Sequence, residues 1–89
     1  MKLTIKLLPP YRKKGEPDCH DLQLDDQAID LQQLAVYLSR EWKNKFGYAL
    51  IDDKNLLTAE FMVNGRHASL DTVLEDDDQV TVIPYICGG

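Results

Sequence analysis

The sequence has little of what several common classes of protein need. It contains two cysteines, Cys19 and Cys87, and only ten lysines and arginines against fifteen aspartates and glutamates, which gives a net charge of −5. This balance argues against nucleic-acid binding, because phosphate contacts need a basic face. No apolar run approaches the roughly 20 residues of a transmembrane helix, and Lys2 and Lys6 interrupt any secretory signal. We therefore expect a cytoplasmic protein without membrane or nucleic-acid partners, with both thiols reduced.

The chain is also short for an enzyme. Its 89 residues, 44% hydrophobic and 28% charged, suit a single folded domain over 1–89, with little room for both a core and an internal cleft. Asp18-Cys19-His20-Asp21 has metal-ligand residue types, but four consecutive loop positions do not readily face one ion. His67 lacks a second identifiable catalytic group. We expect no enzyme activity, no metal and no bound cofactor.

Two short strands are expected in the N-terminal part. Residues 2–7 alternate polar and apolar side chains and end before Pro9-Pro10, which predicts a strand with Leu3, Ile5 and Leu7 inward. Residues 9–21 are rich in proline, glycine and charge and predict a loop. The alternation at 22–24 predicts a second strand pairing back on the first.

The clearest predicted element is a helix. Asp30 is a plausible N-cap, with Gln33 at the capping-box position. Lys43 and Lys45 are then expected in the last turn and Gly47 just after it. The apolar residues recur at helical spacing and predict one core-facing stripe. The stripe consists of Leu31, Leu34, Ala35, Leu38, Trp42 and Phe46.

The C-terminal half predicts further strands. Residues 59–63 predict a strand that ends at Asn64-Gly65, a strong hairpin signal, with 67–70 on the returning strand. Residues 70–74 are expected to form a short helical turn, and 75–78 a charged turn. A last strand follows at 80–83, broken by Pro84. The predicted architecture is α+β, a mixed sheet with one main helix across one face.

The chain ends in Gly88-Gly89, directly after the last predicted strand. Glycines can enter a narrow channel and leave the final carbonyl open to attack, as a carboxylate substrate would require. Pro84 would stiffen the exit, while Tyr85 and Ile86 offer a partner apolar contacts. The alternative is an ordinary frayed terminus. We expect 84–89 to form a flexible tail.

Several stretches together resemble the small sulfur-carrier family, which includes the molybdopterin synthase small subunit and the thiamine thiazole sulfur carrier. The resemblance rests on 63–66, on the acidic turn with Leu74 and Asp76-Asp77-Asp78, and on the ending 83–89. It implies the ubiquitin-like β-grasp roll, with the first and last strands adjacent. The proline and aromatic residue before the glycines and the long first loop are most similar to the molybdopterin synthase small subunit.

The resemblance also implies a chemistry. An activating enzyme related to ubiquitin activators would use ATP to adenylate Gly89, and sulfur from a persulfide donor would displace AMP and leave a thiocarboxylate. The tail would then enter a molybdopterin synthase large subunit, making the chain a protein cosubstrate. Gly89 and Gly88 are the predicted reactive site. Cys87 is either a bystander or a thiol that reacts with activated Gly89 or with the donor.

A partner surface is expected beside the tail. If Val80 and Val82 point inward, Ile83 and Tyr85 point outward, beside Met62 and Leu8, because strand side chains alternate. The predicted partner-binding residues are Ile83, Pro84, Tyr85, Ile86, Cys87 and Met62. Three alternatives to the molybdopterin role stay open: another sulfur pathway such as that of thiamine thiazole, a ubiquitin-like modifier joined to lysine, and a non-covalent binding module.

Overall fold

The computed structural model describes residues 1–25, 28–54 and 56–84. These residues form five strands and one helix around a shared hydrophobic core. In chain order the elements are β1 (Lys2–Leu7), β2 (Cys19–Gln23), α1 (Leu31–Glu41), β3 (Ala59–Val63), β4 (Arg66–Ala68) and β5 (Gln79–Pro84).

The strands make one mixed sheet in the order β2-β1-β5-β3-β4. β1 and β5 are parallel neighbours, with Leu7 opposite Val82, and the other pairs are antiparallel. The predicted adjacency of the first and last strands is therefore confirmed. Because β5 lies in the centre of the sheet, it is paired on both sides, with β1 as far as Val82 and with β3 as far as Pro84.

The core lies between one face of this sheet and α1. Leu3, Ile5 and Leu7 are buried, as their alternation predicted, and so are Val80 and Val82. On α1, the first four stripe residues fill the opposite side of the core. The predicted helix across one face of a mixed sheet is confirmed.

The start of α1 was predicted correctly. The Asp30 carboxylate accepts a hydrogen bond of 2.8 Å from the Gln33 backbone N–H, and the Gln33 side chain accepts one of 3.0 Å from the Asp30 N–H. This reciprocal pair satisfies backbone donors that the first helical turn leaves without partners. The capping box therefore fixes where the helix begins.

The end of α1 was predicted wrongly. The helix stops at Glu41 with Trp42 as its C-cap, so Arg40, not Lys43 or Lys45, is the basic residue of its last turn. Residues 42–45 form turns, and Phe46 makes a β-bridge to Arg12. Trp42 and Phe46 still reach the core, because the chain turns back onto the first loop. Tertiary contacts thus override the helical spacing.

Three other boundaries differ from expectation. β2 begins at Cys19, inside the predicted loop, because the polar residues before Leu22 pair along β1 at the edge of the sheet. The returning strand β4 ends at Ala68, and residues 70–74 contain a turn and a bridge from Val73 to Asp30 in place of a helical turn. The hairpin between β3 and β4 is confirmed: Asn64 and Gly65 have φ of 52° and 83°, as a two-residue type I′ turn requires.

Candidate functional site

The candidate site is the end of β5. Because Pro84 belongs to β5, the part of the predicted tail that follows the strand is 85–89, and we call these five residues the tail. Pro84 does not break the last strand as predicted, since it is the final residue of β5 and lies opposite Ala59 on β3. A proline is tolerated there because no further ladder hydrogen bond is needed from its missing N–H. On the other side of β5, the Leu8 N–H donates to the Val82 carbonyl at 3.2 Å. The root of the tail is therefore fixed by both neighbouring strands.

Gly89, Gly88, Cys87, Ile86 and Tyr85 lie outside the described residues, so their predicted roles stay predictions. Ile83, Pro84 and Met62 are the predicted site residues that the structure does describe.

A buried tyrosine, Tyr11, is hydrogen-bonded to the residue that precedes β3, next to the end of β5. The Tyr11 hydroxyl donates to the Thr58 carbonyl at 2.7 Å and lies 2.9 Å from the Thr58 hydroxyl, which itself donates to the Ala49 carbonyl at 2.7 Å. Burial raises the pKa of Tyr11; the side-chain hydrogen bond between Tyr11 and Thr58 opposes this shift, and the neighbouring Tyr48 adds to it. Thr58 directly precedes Ala59, the partner of Pro84, so Tyr11 holds the strand beside the tail. No periodic pattern in the sequence marks Tyr11 for this position.

The outer face of the sheet is the predicted partner surface. Ile83 lies opposite Glu60, and Met62 lies opposite Thr81. Ile83, Met62 and Leu8 are all half-buried, while Val80 and Val82 point into the core. The predicted alternation is confirmed for Val80, Val82 and Ile83, while Tyr85 lies outside the described residues. The apolar positions alternate with polar ones, so the patch is small.

His67 lies on the same face, at the edge of the sheet. It belongs to β4, opposite Met62, and is exposed, as predicted. Its Nδ1 is 4.0 Å from the Glu60 carboxylate, at the outer limit of an ion pair. Such a pair contributes little to stability because both groups face solvent.

The Asp18–Asp21 cluster does not converge on one point. β2 includes the last three of these residues, and strand alternation turns Cys19 and Asp21 to one face and His20 to the other. The His20 ring meets Trp42 edge-on at 5.6 Å. Among residues 1–25, 28–54 and 56–84, no group of three His, Cys, Asp or Glu side chains could hold a metal ion.

The carboxylates of the acidic turn before β5 accept hydrogen bonds from neighbouring segments, which was not predicted from the sequence. Asp78 accepts hydrogen bonds of 2.8 Å from the Asn64 side chain and from the Glu75 backbone N–H. Asp76 accepts one of 2.6 Å from the Lys2 backbone N–H. These carboxylates tie the hairpin and β1 to the start of β5, which sets the register of the strand that ends in the tail.

The fold is shared with proteins of known structure. SAMP1 from Haloferax volcanii is 15% identical, with a TM-score of 0.73 and 100% of each chain covered. A Pyrococcus furiosus protein provisionally named molybdopterin converting factor subunit 1 is 24% identical, with a TM-score of 0.68, and 96% of this chain and 98% of that one are covered. A complex of subunits 1 and 2 of molybdopterin-converting factor from Helicobacter pylori matches at 22% identity and a TM-score of 0.58, with full coverage of both chains. These similarities confirm the ubiquitin-like β-grasp roll.

The sequence itself was also compared with known proteins and protein families. No curated protein sequence matches the chain. In the described part of the chain, no helix is long and apolar enough to cross a membrane. The model of the ThiS family matches residues 5–89, which include the entire sheet apart from the start of β1. The resemblance to small ubiquitin-like sulfur carriers is confirmed, and the chain belongs to the ThiS family.

Proposed function

We propose that the protein is a sulfur carrier whose Gly89 carboxylate is adenylated and converted to a thiocarboxylate, and that it donates this sulfur in molybdopterin biosynthesis. The observation that carries the proposal is the placement of β5. It is the central strand, paired on both sides through Val82 and Pro84, and the sequence after it is five residues ending in Gly88-Gly89. Five extended residues span at most about 17 Å. The carboxylate can therefore enter a channel in a partner while the sheet stays outside.

The chemistry follows from a terminal carboxylate with no side chains beside it. A carboxylate oxygen attacks the α-phosphate of ATP, and pyrophosphate leaves. The terminal sulfur of a persulfide then displaces AMP, and a second thiol reduces the resulting S–S bond to release the thiocarboxylate. A ubiquitin-activator-like adenylyltransferase and the persulfide donor supply these catalytic groups. In this proposal the chain supplies the carboxylate and consumes ATP only through that partner.

The molybdopterin assignment has narrower support. Two of the similar structures carry the name molybdopterin-converting factor, and one of them is a complex of subunits 1 and 2. By analogy, we propose a molybdopterin synthase large subunit as the acceptor of the tail, with this chain as the non-catalytic small subunit. A thiamine thiazole precursor is the alternative acceptor for a member of the ThiS family.

A second candidate function is protein modification. SAMP1 from Haloferax volcanii shares the fold over 100% of this chain. A second similar structure from the same organism is that of small archaeal modifier protein 1. The same adenylated Gly89 would then be joined to a lysine amine with loss of AMP. Only the product distinguishes a modifier from a sulfur carrier.

The test is mass spectrometry of the intact protein with fragmentation of the tail. The protein is incubated with ATP, a persulfide donor and the adenylating enzyme of the same organism. We expect one oxygen of Gly89 to be replaced by sulfur, and a variant lacking Gly88 and Gly89 to stay unmodified. Fragmentation is needed because oxidation of Met62 or Cys87 changes the mass almost equally.

The outcomes separate the candidates. A thiocarboxylate on Gly89 whose sulfur is used by a molybdopterin synthase large subunit supports the whole proposal. Use of this sulfur only in thiazole synthesis supports a sulfur carrier with a thiazole precursor as its acceptor. A lysine-linked conjugate without thiocarboxylate supports a modifier. If Gly89 stays unmodified although the adenylating enzyme is active on another carrier, both the carrier and the modifier are excluded, and a non-covalent binding module is the function that is supported.

A further inference from the structure

The charged residues divide between the two ends of the sheet. Because β1 and β5 are parallel, Leu7 and Pro84 lie at one end, and Lys2 and Gln79 lie at the other. The first of these is the tail end, since the chain continues from Pro84 toward residue 89. The two ends differ in the sign of their charge.

The end opposite the tail is acidic. The Asp77 N–H donates to the Lys2 carbonyl at 2.7 Å, which holds the acidic turn there, and the Leu31 N–H donates to the Thr72 carbonyl at 3.0 Å, which brings the start of α1 to the same region. Among the described residues, seven carboxylates lie here against three cations, which are Lys2, Arg66 and the Met1 ammonium. The carboxylates are those of Asp25, Asp30, Asp71, Glu75, Asp76, Asp77 and Asp78.

The tail end is basic. The Arg12 N–H donates to the Leu8 carbonyl, and the Leu8 N–H donates to the Val82 carbonyl, so the first loop is anchored directly beside the end of β5. The bridge from Arg12 to Phe46 brings the region after α1 to the same place. At this end of the described chain, eight lysines and arginines, Lys6 and Lys54 among them, lie against six carboxylates, those of Glu16, Asp18, Glu41, Asp52, Asp53 and Glu60. Six exposed cations of this set lie on the first loop and around the end of α1. We name them the basic cluster: Arg12, Lys13, Lys14, Arg40, Lys43 and Lys45.

These cations are positioned but not neutralised. Arg12 donates to the Glu16 backbone carbonyl and Lys13 to the Asn44 backbone carbonyl, each at 3.0 Å. The Lys45 ammonium lies 5.0 Å from the centre of the Trp42 ring. Within residues 1–25, 28–54 and 56–84, no lysine or arginine has a carboxylate oxygen within 4.0 Å. The positive charge of the cluster is therefore available to a partner.

The cluster also borders a concave surface. Arg40 and Lys43 line one wall of an open groove of about 670 Å³, and residues 46–51 line the other. Tyr48, 53% exposed, lies in that second wall. The Thr58 N–H donates to the Leu50 carbonyl at 2.9 Å, which connects this wall to the strand beside Pro84. The groove therefore lies at the same end of the sheet as Pro84.

We propose that the basic cluster docks onto a carboxylate-rich surface around the channel of the enzyme that adenylates Gly89. This inference rests on the proposed function, and it adds the chemistry of the partner surface. The tail spans at most about 17 Å, so an enzyme that binds its end must bring the rim of its channel close to the basic cluster. The charge separation then orients a protein of net charge −5 so that the tail end approaches an acidic partner first.

The test compares two charge-reversal variants in ATP–pyrophosphate exchange by the adenylating enzyme of the same organism. The cluster variant is Lys14→Glu with Lys43→Glu, neither of which makes a described hydrogen bond through its side chain. The matched control is Lys2→Glu with Arg66→Glu, at the acidic end. Both variants have the same net charge, and thermal unfolding shows whether each is folded. Exchange is measured at low salt and at about 0.5 M salt.

We expect the cluster variant to raise the KM for the carrier about five- to twentyfold at low salt, with kcat unchanged. High salt should reduce this difference to about twofold, because exposed charges are screened. The control should stay within about twofold of the original protein. Equal effects of the two variants, no effect of either, or a KM increase that salt leaves unchanged would overturn the inference.

Two further outcomes are informative. If the original protein supports no exchange at all, the proposed function fails before the docking surface is tested. If the cluster variant loses binding to a fluorescent single-stranded RNA while its exchange kinetics stay normal, the cluster recognises nucleic acid, and the inferred acidic protein surface is wrong.

Discussion

The hydroxyl of Tyr11 donates a hydrogen bond of 2.7 Å to the carbonyl oxygen of Thr58, which lies 47 residues further along the chain. Thr58 directly precedes Ala59, the register partner of Pro84. This hydrogen bond therefore joins the first loop to the strand beside the root of the tail. The Tyr11 side chain is 1% exposed. Its ring meets two further aromatic rings edge-on, those of Phe46 and Tyr48.

Removing the Tyr11 hydroxyl should destabilise the fold without creating a cavity. We expect Tyr11→Phe to lower the free energy of unfolding by about 1 to 2 kcal/mol at neutral pH, because the Thr58 carbonyl loses a partner in a partly buried site. Urea unfolding followed by circular dichroism measures the change. The control is Tyr37→Phe, since Tyr37 is half-buried on α1. An equal loss in the control would show that the hydrogen bond is not the cause.

The same hydroxyl should make stability fall at alkaline pH. Burial, partly offset by the Thr58 hydrogen bond, raises the pKa of Tyr11 above its ordinary value of about 10. The folded protein therefore holds this proton more tightly than the unfolded chain does. The resulting stability is fully present below about pH 10 and is lost as the pH rises through the folded-state pKa. The gap in unfolding free energy between the original protein and Tyr11→Phe should narrow above about pH 10. A gap that stays constant or widens would contradict this assignment.

The N-cap of α1 provides a prediction that can be made from sequence and structure together. Asp30→Ala should cost about 1 kcal/mol of unfolding free energy, since the Gln33 backbone N–H loses its acceptor. Thermal or urea unfolding measures this cost. Asp25→Ala removes the same charge from an exposed position nearby, and it should change the unfolding free energy by less than about 0.5 kcal/mol. A similar loss in both variants would point to net charge in place of capping.

Asp30 and Trp42 show which parts of the fold could be predicted from sequence. The beginning of α1 depends on residues three apart in the chain, so its signal is local and was found. The end of α1 depends on Phe46 meeting Arg12 and the Tyr11 ring. Those contacts join distant parts of the chain, and the helical spacing through Phe46 gave the wrong boundary.

The same distinction applies to the candidate site. The glycine pair, Pro84 and the alternation that turns Ile83 outward are read from adjacent residues. They predicted the tail, which lies outside the described residues, and the outward position of Ile83, which the structure confirms. The basic cluster joins two segments, 12–14 and 40–45, that are separated in the chain by all of β2 and most of α1. Only the fold brings Lys14 and Lys43 to the same end of the sheet as Pro84. The net charge of the sequence therefore could not predict a basic surface at this end.

Gly47 is needed for a reason that its predicted role did not include. It does not follow the helix directly, and its N–H donates to the Tyr11 carbonyl at 2.8 Å. A Cβ atom at this position would lie 2.8 Å from the Pro10 carbonyl oxygen and 3.2 Å from that of Arg12. Gly47→Ala should therefore lower the free energy of unfolding by about 1 to 3 kcal/mol, because backbone atoms must shift. Ala49→Ser, an exposed change in the same segment, is the control. Unchanged stability of Gly47→Ala would show that the loop adjusts freely.

The last prediction concerns the outer face beside the tail. Ile83→Thr keeps a β-branched side chain in β5 and removes apolar surface at the half-buried position opposite Glu60. If Ile83 contacts the adenylating enzyme, the KM for the carrier in ATP–pyrophosphate exchange should rise about five- to tenfold, equivalent to about 1 to 1.4 kcal/mol. Unlike the effect of the basic cluster, this increase should persist at high salt, because apolar contacts are not screened. The matched control is Val73→Thr, which also keeps a β-branched residue and is 62% exposed at the end far from the tail. If the KM rises equally in both variants, or does not rise in either, Ile83 is not part of the surface that contacts the adenylating enzyme. Docking would then depend on the basic cluster and the tail.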